Sequence, residues 1–263
     1  MTEPIPIPAT SLLPLVVLPL VGGGNPTVVG GDYFNHIVVL LLGGFIVAMG
    51  IERWDLHKRI ALNVVVRVGT EPKTLIFGFM AATALLSMWI SNTATTIMMV
   101  PIALSAAAAL PGDTKLFKTA LLLGVCYAAS IGGVGTPIGT PTNLIAMDWL
   151  QNNTGSEIGF PQWMAFGVPA ACLLVPAAWW SVTRALPLRQ NTESVADEIR
   201  GQLSALGRIS TPEARAAAVF AVVATLWVLQ LPLLALAERA GLDLLVSYKG
   251  ARMDMITAIF GAV

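Results

Sequence analysis

Thirty-nine consecutive residues, Thr74 to Gly112, carry no charged side chain. As one straight helix they would reach about 60 Å, roughly twice the hydrocarbon thickness of a bilayer. Such a run has to turn back on itself. Its most polar stretch, Ser91-Asn92-Thr93-Ala94-Thr95-Thr96, falls near the centre and is the natural place for the turn. The composition says what surrounds the run. Residues are 56% hydrophobic and 11% charged, against about 25% charged in soluble domains. A soluble surface cannot be built from so little charge, so the chain reads as an integral membrane protein. Its formal net charge is zero, which leaves no case for a nucleic-acid partner.

Further uncharged runs cover roughly 5–22, 36–51, 116–147, 163–183 and 216–237, with a short one from 255. The segments between them differ sharply in charge. Twelve of the fifteen Lys and Arg lie in 52–73, 111–118 and 184–215, whereas 22–35 and 148–162 carry none. The positive-inside rule puts the first three in the cytoplasm and the other two outside. This alternation holds if 74–112 begins and ends on the cytoplasmic side. Its arms, 74–90 and 97–112, are at the short end of what can span a bilayer. Either two helices cross fully or two short helices dip in and return. The lack of Gly, Pro or Asp at the turn favours the re-entrant hairpin. In 184–210, Val195, Ile199, Leu203 and Leu206 recur at helical spacing, with Asp197, Glu198 and Arg200 off that face. This suggests an amphipathic helix on the cytoplasmic surface, against a solvated loop with chance periodicity. Residues 51–62, with Trp54 at the interface, suggest another.

A second polar island, Ser130 to Asn143 (SIGGVGTPIGTPTN), interrupts the 116–147 run. Pro137 and Pro141 remove backbone donors, and Gly132, Gly133, Gly135 and Gly139 permit non-helical dihedrals. The helix is expected to unwind here. Bare backbone at membrane depth is tolerated where it is buried in protein or lines a cavity. The glycine spacing is wrong for a dinucleotide fingerprint, and Thr140 stands where a Walker loop needs Lys.

Two polar islands breaking apolar runs are the pattern of a transporter site. Helix amino ends face an anion while unwound carbonyls coordinate a cation. Neither island holds Asp, Glu, Lys or Arg. An anion would be held by neutral donors and helix ends, with a bound cation as counter-charge, which points to cation-coupled anion transport. Ser91, Asn92 and Thr93 are the candidates. Thr95, Thr96 and Ser105 read as interhelical hydrogen-bonding residues. His36 and His57, at a membrane boundary and in a basic surface segment, lack partners at ligand spacing. Cys126 and Cys172 read as packed thiols, and Trp163, Trp179, Trp180 and Trp227 as packing or interface anchors. No His, Cys or acid cluster suggests an enzyme.

The segments LLSMWISNTATTIMMVPIA and SIGGVGTPIGTPTNLIA, with LHKRIAL and TEPIPIPATSLLP, resemble the divalent anion:Na⁺ symporter family, the sodium-coupled dicarboxylate, citrate and sulfate carriers. The resemblance implies an all-α, multi-span helical bundle with one re-entrant hairpin and one unwound membrane helix, the first inverted repeat of a two-repeat transporter. It implies scaffold-type helices over 1–73 and a transport-type region over 74–183, comprising the hairpin 74–112, a broken helix 116–150 and a helix 163–183. A cytoplasmic amphipathic arm would follow over 184–215, then a further helix and the start of a second half over 216–263. The implied Na⁺ site is Ser87, Ser91, Asn92 and the Gly139 carbonyl. The implied substrate contacts are Ser91, Asn92 and Thr93, with Thr140 and Pro141. Na⁺ is the expected coupling ion, a C4-dicarboxylate such as succinate or malate the expected substrate, and sulfate or citrate the alternative. A homodimer in the inner (plasma) membrane, working as an elevator, is also implied. The family has two Ser-Asn-Thr motifs and this chain has one, so the chain is expected to be a fragment. A non-transporting membrane subunit needing a second half is the competing reading.

Overall fold

The computed structural model describes residues 5–68, 71–110, 115–155, 158–184, 193–239 and 251–262. These residues are helical, with no strand among them. Two short helices, α1 (Ile7–Ser11) and α2 (Leu13–Leu20), lead into α3 (Pro26–Tyr33) and α4 (His36–Arg53). Then come α5 (Leu56–Val68), α6 (Pro72–Ser87), α7 (Asn92–Ala108), α8 (Lys115–Gly133), α9 (Pro141–Thr154) and α10 (Phe160–Thr183). The chain continues through α11 (Glu193–Ala205), α12 (Thr211–Val228), α13 (Gln230–Arg239) and α14 (Ala251–Ala262). Pro26–Arg53, α8, α10 and α12 are long and apolar enough to cross a membrane; α6 and α7 are shorter.

Both expected breaks are present, the first shifted toward the amino end: Asn92 to Thr96, expected within the turn, are helical. The 74–112 run stops at Ser87 and restarts at Asn92. Pro72 opens α6, where its missing N–H costs nothing. Ser91 opens α7 by accepting from the Ala94 N–H at 3.3 Å. The second run stops at Gly133 and restarts at Pro141. Gly155 closes α9 at φ +68°, a left-handed cap that suits glycine. The 216–237 run is not one helix, because Pro232 cannot donate to the Val228 carbonyl and its ring crowds it. So α12 ends at Val228 and α13 follows after Leu229.

Packing divides into two apolar cores. In the larger, α6 lies along α8 with α5, α7, α10 and α11 around them; Ile76, Phe79, Met80, Phe117 and Leu121 are fully buried. The smaller gathers Leu40, Ile138, Leu144, Phe160, Val223, Trp227 and Ala258 from α4, the second break, α9, α10, α12 and α14. Aromatic rings join the two. Trp89, at the tip between α6 and α7, lies 5.1 Å from Phe220 and 6.2 Å from Phe160, and Phe160 stacks on Trp227 at 4.7 Å. Asp254 binds the same corner. Its Oδ2 accepts from the Phe160 N–H at 3.1 Å, and its carbonyl accepts from Trp227 Nε1 at 3.1 Å.

The amphipathic arm forms as a helix, but its apolar face meets protein. Val195 and Ile199 are buried against α5 and α7, with Leu203 and Leu206 beside them. Residues 185–192 of the expected arm, Arg189 among them, lie outside the described residues. Ser105 donates to Glu198 at 2.8 Å, the interhelical role expected of it, and Gln202 donates to both. The Gln202 and Ser105 donors hold the Glu198 carboxyl below its ordinary range. At the end of the arm, Arg59 of α5 pairs with Glu213 of α12 through two contacts, one of them 3.1 Å, and donates to the Gly207 and Leu206 carbonyls. Ser210 and Glu213 close a capping box there. Arg59→Ala leaves a largely buried carboxylate with the Ser210 N–H but without its two guanidinium donors. It is expected to cost about 2 kcal/mol and to lower the thermal unfolding midpoint in detergent.

Two expectations are corrected. His57 is buried, not on the surface: its ring sits 3.3 Å from the Ile51 carbonyl oxygen, and burial pushes its pKa down. The basic segment turns this residue inward because α5 packs on α6 through the Leu56, Ala61 and Val65 face. Cys126 and Cys172 are exposed, not packed. They lie on the outward sides of apolar helices.

Candidate functional site

The two breaks meet. The carboxyl ends of α6 and α8 and the amino ends of α7 and α9 converge on one region. At its centre is Ser87, fully buried at the last turn of α6. Its Oγ lies 2.7 Å from Asn92 Oδ1 and 2.7 Å from the Ala129 carbonyl oxygen of α8. One hydroxyl proton cannot serve both acceptors. Three oxygens thus come together around one hydroxyl proton, a neutral, oxygen-rich setting compatible with a cation. The helix ends add to it: the closing carbonyls of α6 and α8 carry partial negative charge, the opening amides of α7 and α9 partial positive charge.

The glycines make this approach possible, and not through unusual dihedrals. None of Gly132, Gly133, Gly135 and Gly139 takes a positive φ. They are glycines because α8 and its break press onto the hairpin. A Cβ on Gly133 would overlap Asn92 Oδ1. A Cβ on Gly139 would fall 2.5 Å from the Gly133 carbonyl oxygen and 2.9 Å from the Ser87 carbonyl oxygen. Ser87, Asn92, Gly133 and Gly139 are therefore one cluster.

The other expected residues are placed as follows. Ser91 is half-buried and spends its Oγ as the α7 cap. Thr93 and Pro141 are exposed at the openings of α7 and α9. Thr140 is half-buried, its Oγ1 3.0 Å from Thr142 Oγ1. No hydrogen bond among the described residues links Ser91 or Thr93 to Thr140. Thr96 bonds within its own helix, to the Asn92 carbonyl at 2.8 Å, and not across helices. The Thr95 hydroxyl is buried and has no partner among the described residues, so the interhelical bond expected of it is not seen there.

Two residues that hold this geometry, Asn143 and Thr136, carry no assignment from sequence. Asn143, buried on α9, donates through Nδ2 to the Gly133 carbonyl at 2.7 Å and the Thr136 carbonyl at 2.8 Å. Thr136, fully buried, donates to the Met88 carbonyl at the hairpin tip. Trp163 does more than pack: its Nε1 donates to the Val134 carbonyl at 2.9 Å. A Thr-Pro-Thr-Asn stretch reopening a helix after a glycine break was the available sign for Asn143. Among the described residues no three His, Cys, Asp or Glu side chains gather. The cluster offers neutral oxygens and amides, suited to an alkali cation and a small anion.

A profile of the citrate transporter family matches residues 1–262. A sodium-dependent dicarboxylate transporter, SdcS, of Staphylococcus saprophyticus is 41% identical over 239 residues, covering 86% of this chain and 46% of that protein. The SdcS of Staphylococcus aureus (strain NCTC 8325 / PS 47) is 37% identical over 239 residues, with the same coverage. The chain spans about half the length of the curated relatives it matches.

Proposed function

The chain belongs to the citrate transporter family, and on that premise we propose that it carries half of the site of a multi-pass secondary transporter that couples Na⁺ to a divalent anion. The observation that carries this reading is the Ser87–Asn92–Ala129 oxygen cluster with one shared proton, set between two helix amino ends and two helix carboxyl ends. Na⁺ sits among Ser87, Ser91, Asn92 and the Gly139 carbonyl, where oxygens outnumber hydrogens. The anion meets the exposed amino ends of α7 and α9 at Ser91, Asn92, Thr93, Thr140 and Pro141. The cation supplies the counter-charge that these neutral side chains lack, so neither ligand binds well without the other.

The substrate is a C4-dicarboxylate such as succinate or malate, in keeping with the dicarboxylate transporters the chain resembles. Citrate is the second reading, favoured by the description of the family. Helices α6 and α7, too short to cross a bilayer comfortably, form a re-entrant hairpin whose tip reaches the site from the cytoplasmic side. An inverted second repeat supplies the opposite half of the anion pocket. The assembly is a homodimer in the inner (plasma) membrane, and its transport region moves as an elevator against the scaffold helices. The test is uptake of labelled succinate, citrate and sulfate into proteoliposomes under Na⁺ and K⁺ gradients. Na⁺-driven succinate uptake is expected. Uptake of none of the three under Na⁺ would favour the reading as a non-transporting subunit.

A further inference from the structure

We propose that Asn143 is a positioning residue for the cation site, one that locks the break between α8 and α9 so that Gly139 stays against the Ser87 carbonyl; this rests on the Na⁺-coupled reading above. The break runs from Val134 to Thr140. Such a segment has no helical ladder to satisfy its carbonyls, so something else must. With one amide group Asn143 meets the Thr136 carbonyl and, just before the break, that of Gly133. Trp163 meets a third, at Val134. From behind, Gly167 of α10 lets the helix close on the loop, since a Cβ there would overlap the Val134 carbonyl oxygen.

This arrangement has two consequences. First, the carbonyls of 133, 134 and 136 already accept from side-chain donors, which makes each a poorer cation ligand than a carbonyl without such a donor. Ligation from the loop falls to the part beyond them, where Gly139 lies. Second, Gly133 is the residue against which both Asn92 Oδ1 and Gly139 are packed. By holding the Gly133 carbonyl, Asn143 fixes the spacing of two expected Na⁺ ligands without touching the ion. Its burial, about 5% exposed, keeps water from replacing its hydrogen bonds.

The test uses the whole protein, reconstituted, with succinate uptake measured against Na⁺ concentration. Asn143→Leu keeps the branched shape and removes the NH2 donor of both bonds; Asn143→Ala removes the bulk too. Both are expected to raise the Na⁺ concentration for half-maximal uptake by about tenfold or more. The rate at saturating Na⁺ should change by less than about threefold. Trp163→Phe keeps the ring and removes one donor, and should give a smaller rise of the same kind. A merely structural role would lower the maximal rate and leave the Na⁺ half-saturation unchanged. If the Asn143 variants stay within about twofold of the parent half-saturation while Asn92→Ala removes the Na⁺ dependence, this inference is wrong and the Na⁺ reading stands. If Asn92→Ala leaves the Na⁺ dependence intact, the reading itself falls and takes the inference with it. If neither Asn143 variant folds, Trp163→Phe decides: an unchanged half-saturation overturns the proposal.

Discussion

Replacing Asn92 with alanine is expected to abolish Na⁺-dependent uptake, with a loss of about a hundredfold or more in Na⁺ affinity. The reasons are local. Asn92 supplies Oδ1 to the cluster, 2.7 Å from Ser87 Oγ, and it is the first residue of α7. Without it the Ser87 hydroxyl retains the Ala129 carbonyl as its acceptor, and the demand for a cation falls. The helix itself should survive, because the cap belongs to Ser91 and alanine favours helix. The variant should therefore reach the membrane folded and fail in binding. Uptake against Na⁺ concentration, with the thermal midpoint as control, separates the two. Ser87→Ala should show a similar loss, because it removes the shared proton and an oxygen together.

Gly139→Ala should be nearly as damaging by a different route. The backbone dihedrals at Gly139 are not of the left-handed kind, so alanine is not excluded by conformation. What is missing is space. The new methyl would meet the carbonyl oxygens of Gly133 and Ser87, both backbone atoms at the ends of helices. Neither can rotate away, so α6, α8 or the loop must move. Overpacking of this kind costs about 1–3 kcal/mol of stability. A displacement near 1 Å at the site costs about a hundredfold in rate. Gly155→Ala is the useful contrast. That residue has open space around it and a φ of +68°, so its substitution strains the α9 cap and leaves the site alone. Uptake should fall steeply in the first variant and little in the second.

The outline of the site was legible in the chain because membrane thickness is a strict ruler. A 39-residue uncharged run had to fold back, and the break occurs at Met88–Ser91, beside the Ser-Asn-Thr stretch. The glycine-proline island had to interrupt its helix, and it does so between Gly133 and Pro141. Other features resisted. Glycines permit both odd dihedrals and close approach, and spacing alone cannot separate these; Gly133 and Gly139 prove to be cases of close approach. The periodicity of Val195 and Ile199 showed that an apolar face exists. It could not say whether lipid or protein covers it, since both are equally apolar; in the fold, α5 and α7 do. The same ambiguity misplaced Cys126 and Cys172. Asn143 acts on backbone carbonyls, and its place after the glycine-proline break hints at a role without saying which carbonyls it meets.

The central claim is that a cation among Ser87, Asn92 and Gly139 completes the anion site at the amino ends of α7 and α9. Succinate affinity of the whole protein, titrated calorimetrically at a series of Na⁺ concentrations held at constant ionic strength with K⁺, tests it most directly. Linkage requires that a cation which strengthens anion binding be strengthened in return. The predicted result is a succinate Kd that falls steadily as Na⁺ rises, with the dependence lost in Asn92→Ala. A succinate Kd that is the same in Na⁺ and K⁺ would contradict the account.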